Sequence, residues 1–121
     1  MKKILLMDDE AAVRSMLKKM LERQGYAVIT ASNGREGMNL FNKDPVDLVV
    51  TDLIMPEKEG IEVIMELRKK CPDVPVIAMS GGGRNTPESY LNAAKLLGAR
   101  AVLEKPVQKE IFLEAVQRVL K

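Results

Sequence analysis

The sequence contains no histidine and no tryptophan, a single cysteine, and only two tyrosines and two phenylalanines. The missing histidine excludes imidazole acid–base catalysis, histidine metal ligation and every Ser–His or Cys–His nucleophile pair. The lone thiol, Cys71, cannot form an internal disulfide, so nothing points to an oxidising compartment. It precedes Pro72 and reads as an inert, partly exposed group. So few aromatics leave the core to aliphatic side chains and methionine, seven of the eight lying on apolar stretches, helical stripes or beside the candidate site, with Met1 the initiator. Charge of one sign is also lacking. Nineteen basic residues face 17 acidic ones, a net of +2, which is too weak to predict direct nucleic-acid binding. No apolar run approaches the ~20 residues of a membrane span. Met1-Lys2-Lys3 and the run Ile4–Met7 begin like a signal peptide, but Asp8-Asp9-Glu10 cut the run short and no small-residue cleavage site follows. The chain therefore reads as cytoplasmic, with no membrane partner. Its chemistry is left to carboxylates, lysine, hydroxyls and any metal that oxygen ligands hold.

The remaining composition, 46% apolar and 30% charged over 121 residues, is that of one globular domain over residues 1–121. Apolar segments of two periods alternate along it. Ile4–Met7, Ala27–Thr30, Leu48–Thr51, Val76–Met79 and Ala101–Leu103 are short continuous runs, the mark of strands buried on both faces. Between them lie helical stripes. The first carries Val13, Met16, Leu17, Met20 and Leu21, and the second Met38 and Phe41. The third carries Ile61, Ile64, Met65 and Leu67, the fourth Tyr90, Leu91, Ala94 and Leu97. The last carries Phe112, Ala115, Val116, Val119 and Leu120. Gly25 and Gly98 stand where helix C′ residues belong, Asn33 and Thr86 where N-caps belong, and Asp44-Pro45 ends the second helix. Five βα repeats with apolar strands predict an α/β fold: a doubly wound, flavodoxin-like (βα)5 parallel sheet of strand order 2-1-3-4-5.

Ligands of such sheets bind beyond the carboxyl ends of the strands. Asp8, Asp9 and Glu10 follow the first strand, Asp52 the third, Ser80 the fourth, and Glu104, Lys105 and Pro106 the fifth. The strand order would gather Asp8, Asp9 and Asp52 in one pocket. Two carboxylates at ~4 Å repel by roughly 4 kcal/mol at an effective dielectric near 20. Protons, a cation or a lysine must relieve them. Hard oxygen ligands on an open rim suit Mg²⁺. Carboxylate, Mg²⁺, Lys105 and the Ser80 hydroxyl together would cradle a phosphoryl group, and an aspartate can accept one covalently.

These residues carry a family resemblance. Ile4–Glu10, Ala31–Glu36, Asp47–Pro56 with Gly60, Pro75–Gly81 and Leu103–Pro106 fall in the order and at the strand ends of a receiver domain. The chain resembles the receivers of two-component response regulators over its full length, in the single-domain form typified by chemotaxis response regulators. The resemblance implies that Asp52 is the phosphoacceptor. Asp8, Asp9, Asp52 and the backbone carbonyl of Ile54 would hold Mg²⁺. Ser80 and Lys105 would bind the phosphoryl oxygens, with a cis Lys105–Pro106 bond. The donor would be a sensor histidine kinase, a phosphotransfer protein or a small acyl phosphate. A downstream protein would read the switch on the face of the fourth helix, fifth strand and fifth helix, and phosphorylation could drive homodimerisation. Such a domain is a phosphoacceptor that modifies and demodifies itself, not an enzyme acting on a separate substrate.

The plainer readings are that Asp8 or Asp9 only caps a helix, that Ser80 is an ordinary strand end, and that Lys105 is a surface lysine. The triple glycine at 81–83 lacks phosphate-loop spacing and reads as a mobile connector. The run Glu66–Lys70 reads as a solvated helix end. Competing functions are a degenerate receiver that binds a partner without phosphorylation, a haloacid-dehalogenase-type phosphatase and a flavin protein. The second requires an aspartate where Glu10 stands, two positions after Asp8; the third has little aromatic surface to stack on. Val102 replaces the aromatic that receivers usually carry three residues before the lysine, and the Ser80–Lys105 segment is longer than usual around Gly81–Pro87. Ile54 stands where some receivers place a polar side chain that aids hydrolysis of the phosphoryl group. Ile54→Asn is therefore expected to shorten the half-life of the phosphorylated chain. A native half-life much shorter than the variant's, in a time course of dephosphorylation, would reverse that reading of Ile54.

Overall fold

The computed structural model describes residues 1–81 and 87–121, with side chains of 87–91 outside the description. The strands are β1 (Lys3–Met7), β2 (Ala27–Ala31), β3 (Leu48–Asp52), β4 (Val76–Ser80) and β5 (Ala101–Glu104). The helices are α1 (Ala11–Arg23), α2 (Gly34–Lys43), α3 (Gly60–Lys70), α4 (Pro87–Leu96) and α5 (Lys109–Leu120). All strand pairs are parallel, in the order β2-β1-β3-β4-β5. The expected α/β doubly wound sheet is what forms, with each strand one polar or small residue longer than its apolar run.

Alternation along the strands builds two cores. Leu5 and Met7 of β1, Val49 of β3, and Val76 and Ala78 of β4 face α2, α3 and α4. Ile4, Leu6, Leu48, Val50, Ile77 and Met79 face α1 and α5, where Leu17, Leu21 and Phe112 are fully buried. The sheet is thus covered on both sides, and its polar groups gather at one edge.

Local signals work as the sequence indicates at most helix ends. Asn33 caps α2, its side chain accepting from the Glu36 N–H at 2.8 Å, while Glu36 reaches back to the Ser32 N–H at 2.7 Å. Gly25 and Gly98 follow α1 and α4 at φ +92° and +106°, the left-handed geometry of a helix stop. The Thr86 cap and the stripe positions Tyr90 and Leu91 lie outside the described residues; Ala94 is buried and Leu97 partly so.

Two stripes differ from expectation. α3 buries Val63, Ile64 and Leu67 with Gly60, and leaves Met65 48% exposed. The stripe begins at Gly60, which lacks a side chain and so hides the i, i+3, i+4, i+7 register from a pattern based on side chains. Met16 is 42% exposed, because α1 buries only Leu17 and Leu21 fully and Met16 falls on the rim of the carboxyl-edge cleft. Glu66–Lys70 is more than a solvated end. Glu66 pairs with Lys58 and Lys70, and Arg68 donates to the carbonyls of Pro72 and Val74, tying down the turn into β4. Cys71 is half-buried at the C-cap of α3.

The β3–α3 loop holds Glu57 at φ +69°, a left-handed conformation unfavourable for a residue with a Cβ. Among the described residues its charge contact is an exposed pair with Arg35 at 3.6 Å, worth at most about 1 kcal/mol. Glu57→Gly is expected to leave the urea midpoint unchanged or raise it, and Glu57→Ile to cost about 1–2 kcal/mol, since branching at Cβ aggravates the strain.

Candidate functional site

The carboxyl edge of the sheet gathers the polar residues. Asp8 follows β1, Asp52 is the last residue of β3, Ser80 the last of β4, and Lys105 follows β5. Met7 lies beside Thr51 in the register, so Asp8 and Asp52 are neighbours across adjacent strands. β4 stands between β3 and β5, so the Lys105 side chain must cross its end to reach them. Gly81 makes that crossing feasible: a Cβ there would collide with the Lys105 Cβ. The sequence suggested a mobile connector at 81–83. Gly81 instead packs against the lysine stem, and the other two glycines lie outside the described residues.

The Lys105 ammonium is the centre of the site. It donates to Asp52 Oδ2 at 3.0 Å and to Glu10 Oε1 at 3.1 Å, and stands 2.9 Å from Asp8 Oδ2. Asp8 is fully buried and Asp52 5% exposed. Asp8 does not cap a helix. Its Oδ1 accepts the Glu10 N–H at 2.9 Å, its own N–H donates to the Ala31 carbonyl, and its carbonyl accepts from Arg14. Asp52 Oδ1 lies 3.4 Å from the Ile54 N–H. Asp9 and Glu10 are exposed at the rim.

Asp8, Asp9, Glu10 and Asp52 each offer a carboxylate oxygen within 4.8 Å of the others. That donor set, all hard oxygen and half of it facing water, fits an ion such as Mg²⁺. The Ser80 hydroxyl is buried, with no hydrogen-bond partner among the described residues. An unpaired buried hydroxyl costs free energy unless a ligand or water meets it. Asp9, Glu10, Asp52 and Lys105 line a cleft of about 550 Å³ together with Met16, Ile54, Pro106 and Val107. The Lys105–Pro106 bond is cis. Val102 is half-buried against the core shared with α3 and α4, and the segment 82–86 of the longer β4–α4 loop lies outside the described residues.

Burial pushes the Asp52 carboxyl above the usual carboxylate range; Lys105 pulls it back in part, and the charge of Asp8 adds to the rise. Burial alone would lower Lys105, but contact with Asp8 and Asp52 reverses this and the net shift is upward. Two features went unseen in the sequence: the Glu10 contact with Lys105, 95 residues apart, and the steric need for Gly81. No local pattern announces the first. The second had a signal, a glycine directly after a strand that ends at the site.

A family profile described as response regulator receiver domain matches residues 4–117. The chain is 35% identical over 121 residues to the chemotaxis protein CheY of Thermotoga maritima, covering 99% of this chain and 98% of that protein. It is 36% identical over 117 residues to the transcriptional regulatory protein GlrR of Escherichia coli, covering 97% of this chain and 26% of GlrR. The chain thus spans about a quarter of that relative's length. A crystal structure of a response regulator receiver domain protein from Clostridium thermocellum superposes with a TM-score of 0.91 at 32% identity, covering 99% of this chain and 94% of that one.

Removing the central cation leaves buried carboxylates uncompensated. Lys105→Met is expected to cost about 3 kcal/mol of unfolding free energy at pH 7 without metal, read by urea titration. The folded-state value of Lys105 is raised, so its contribution is intact below the unfolded value near 10.5 and fades as pH climbs through the folded one. In acid the difference between the two chains shrinks again as the carboxylates protonate. Asp52 takes its proton at a higher pH than an ordinary aspartate.

Proposed function

Because the chain belongs to the receiver-domain family of two-component response regulators, we propose that it is a switch set by phosphorylation of Asp52. The observation that carries this reading is the Lys105 ammonium, poised 3.0 Å from a nearly buried Asp52 carboxylate at the mouth of an open cleft. A carboxylate oxygen of Asp52 attacks phosphorus as the bond from phosphorus to the donor's leaving atom breaks, and the electron pair departs with that leaving group. Lys105 neutralises charge on the transferred group, and the Ser80 hydroxyl, without a partner among the described residues, turns to a phosphoryl oxygen and gains one.

Asp8, Asp9, Asp52 and the carbonyl of Ile54 would hold Mg²⁺, which when bound offsets the negative charge of the approaching phosphoryl group. Asp8, fixed through its backbone at both ends, sets where those oxygens lie. The donor is a sensor histidine kinase, a phosphotransfer protein or a small acyl phosphate.

The output follows from what must move. A phosphoryl group adds charge and acceptor oxygens that Ser80 and Lys105 satisfy, biasing the ends of β4 and β5. A downstream protein, or a second copy of the chain, reads the change on the α4–β5–α5 face, with Val102 in place of an aromatic side chain. A phosphorylation-independent binding role would leave the acidic cluster and the central lysine without a purpose.

Intact mass spectrometry after incubation with acetyl phosphate tests this directly. A single Mg²⁺-dependent phosphoryl adduct is expected, absent from Asp52→Asn. A folded chain that takes up no phosphoryl group in Mg²⁺ rejects the reading.

A further inference from the structure

Lys105 has three carboxylates around it, and they are not equivalent. Asp8 and Asp52 are fixed and buried, with side chains 0% and 8% exposed. Glu10 is 61% exposed and makes the longest of the three contacts, 3.1 Å. It occupies the N-cap position of α1, yet its side chain makes no cap hydrogen bond. Its carboxylate turns away from the helix to the ammonium.

We propose that Glu10 is a positioning residue that latches Lys105 in the unphosphorylated chain and must let go before a phosphoryl oxygen can take that donor. The inference rests on the reading of Asp52 as phosphoacceptor. A buried carboxylate cannot withdraw without being stranded from its counter-charge, whereas a rim glutamate retreats into water at little cost. Glu10 is therefore the contact that yields. Until it does, the lysine is directed towards the mouth of the cleft, and the glutamate's charge faces any incoming anion. During transfer from acetyl phosphate an Asp52 oxygen bonds to phosphorus as the phosphorus–oxygen bond to the acetyl group breaks. Acetate leaves with the electron pair, and no proton changes hands. Glu10 touches none of these atoms; it governs when Lys105 is free to meet the new oxygens.

The full chain is compared with Glu10→Gln and Glu10→Asp. Aspartate keeps the charge but is one methylene short of the lysine. Both variants are expected to accept phosphoryl from acetyl phosphate about threefold faster at saturating Mg²⁺, the scale of an exposed ion pair. In metal-free chain without donor, the Lys105 ammonium protons should exchange with water faster in both variants, by side-chain NMR. An aspartate variant with parent-like rate and exchange overturns the latch, since charge alone would then suffice. So does a Mg²⁺ affinity lowered at least about tenfold in Glu10→Gln by calorimetry, which would place its role at the metal, as ligand or outer-shell partner, and not on Lys105. No adduct in the parent chain overturns the reading of Asp52, while the exchange comparison, which needs no phosphoryl transfer, still decides whether Glu10 holds Lys105.

Discussion

The carboxyl edge of this sheet depends on one ammonium group. Asp8 and Asp52 are buried side by side at the ends of adjacent parallel strands, where like charges repel. Among the described residues Lys105 is the cation that makes their burial tolerable, reaching from beyond β5, two places from β3 and three from β1. The rest of the edge is arranged around that reach. β4 closes with a small residue, Ser80, and continues with Gly81, so that nothing obstructs the lysine stem. The tolerance is incomplete: burial still holds Asp52 above the usual carboxylate range. A site in that condition favours a cation or a change of charge.

The fold supplies the rigidity that this requires. Asp8 is held through its N–H, its carbonyl and Oδ1, contacts reaching β2 and α1. Asp52 closes a strand whose five residues are all buried. Against these fixed members stand the exposed ones, Asp9 and Glu10, on the short turn into α1. The site thus joins two buried carboxylates to two that face water. The division follows from the parallel sheet, which places strand ends in a row and leaves the turns beyond them in water.

Much of this was legible in the sequence because parallel strands covered on both faces must be continuously apolar. Ile4–Met7, Leu48–Thr51 and Val76–Met79 have few other readings. Once the strands were placed, the order of the sheet brought Asp8, Asp52, Ser80 and Lys105 to one edge without further assumption. Helix faces were less secure. The α3 stripe starts at a glycine, so the side-chain pattern of Ile61 and Met65 pointed one residue around the helix from the true face of Val63, Ile64 and Leu67. Met16 looked like core by spacing and is rim, since spacing reports a face of the helix but not how far the sheet extends beneath it. The Glu10–Lys105 contact was out of reach for another reason. It joins distant segments through side-chain rotamers, and neither residue's neighbours encode the other.

The two cores on opposite faces of the sheet share no side chains. Leu5 and Ile4 are consecutive in sequence yet belong to different packing problems, one against α2, α3 and α4, the other against α1 and α5. Distant changes without shared partners combine nearly additively. A lineage can therefore reshape the face that meets one partner while the opposite face keeps its own fit.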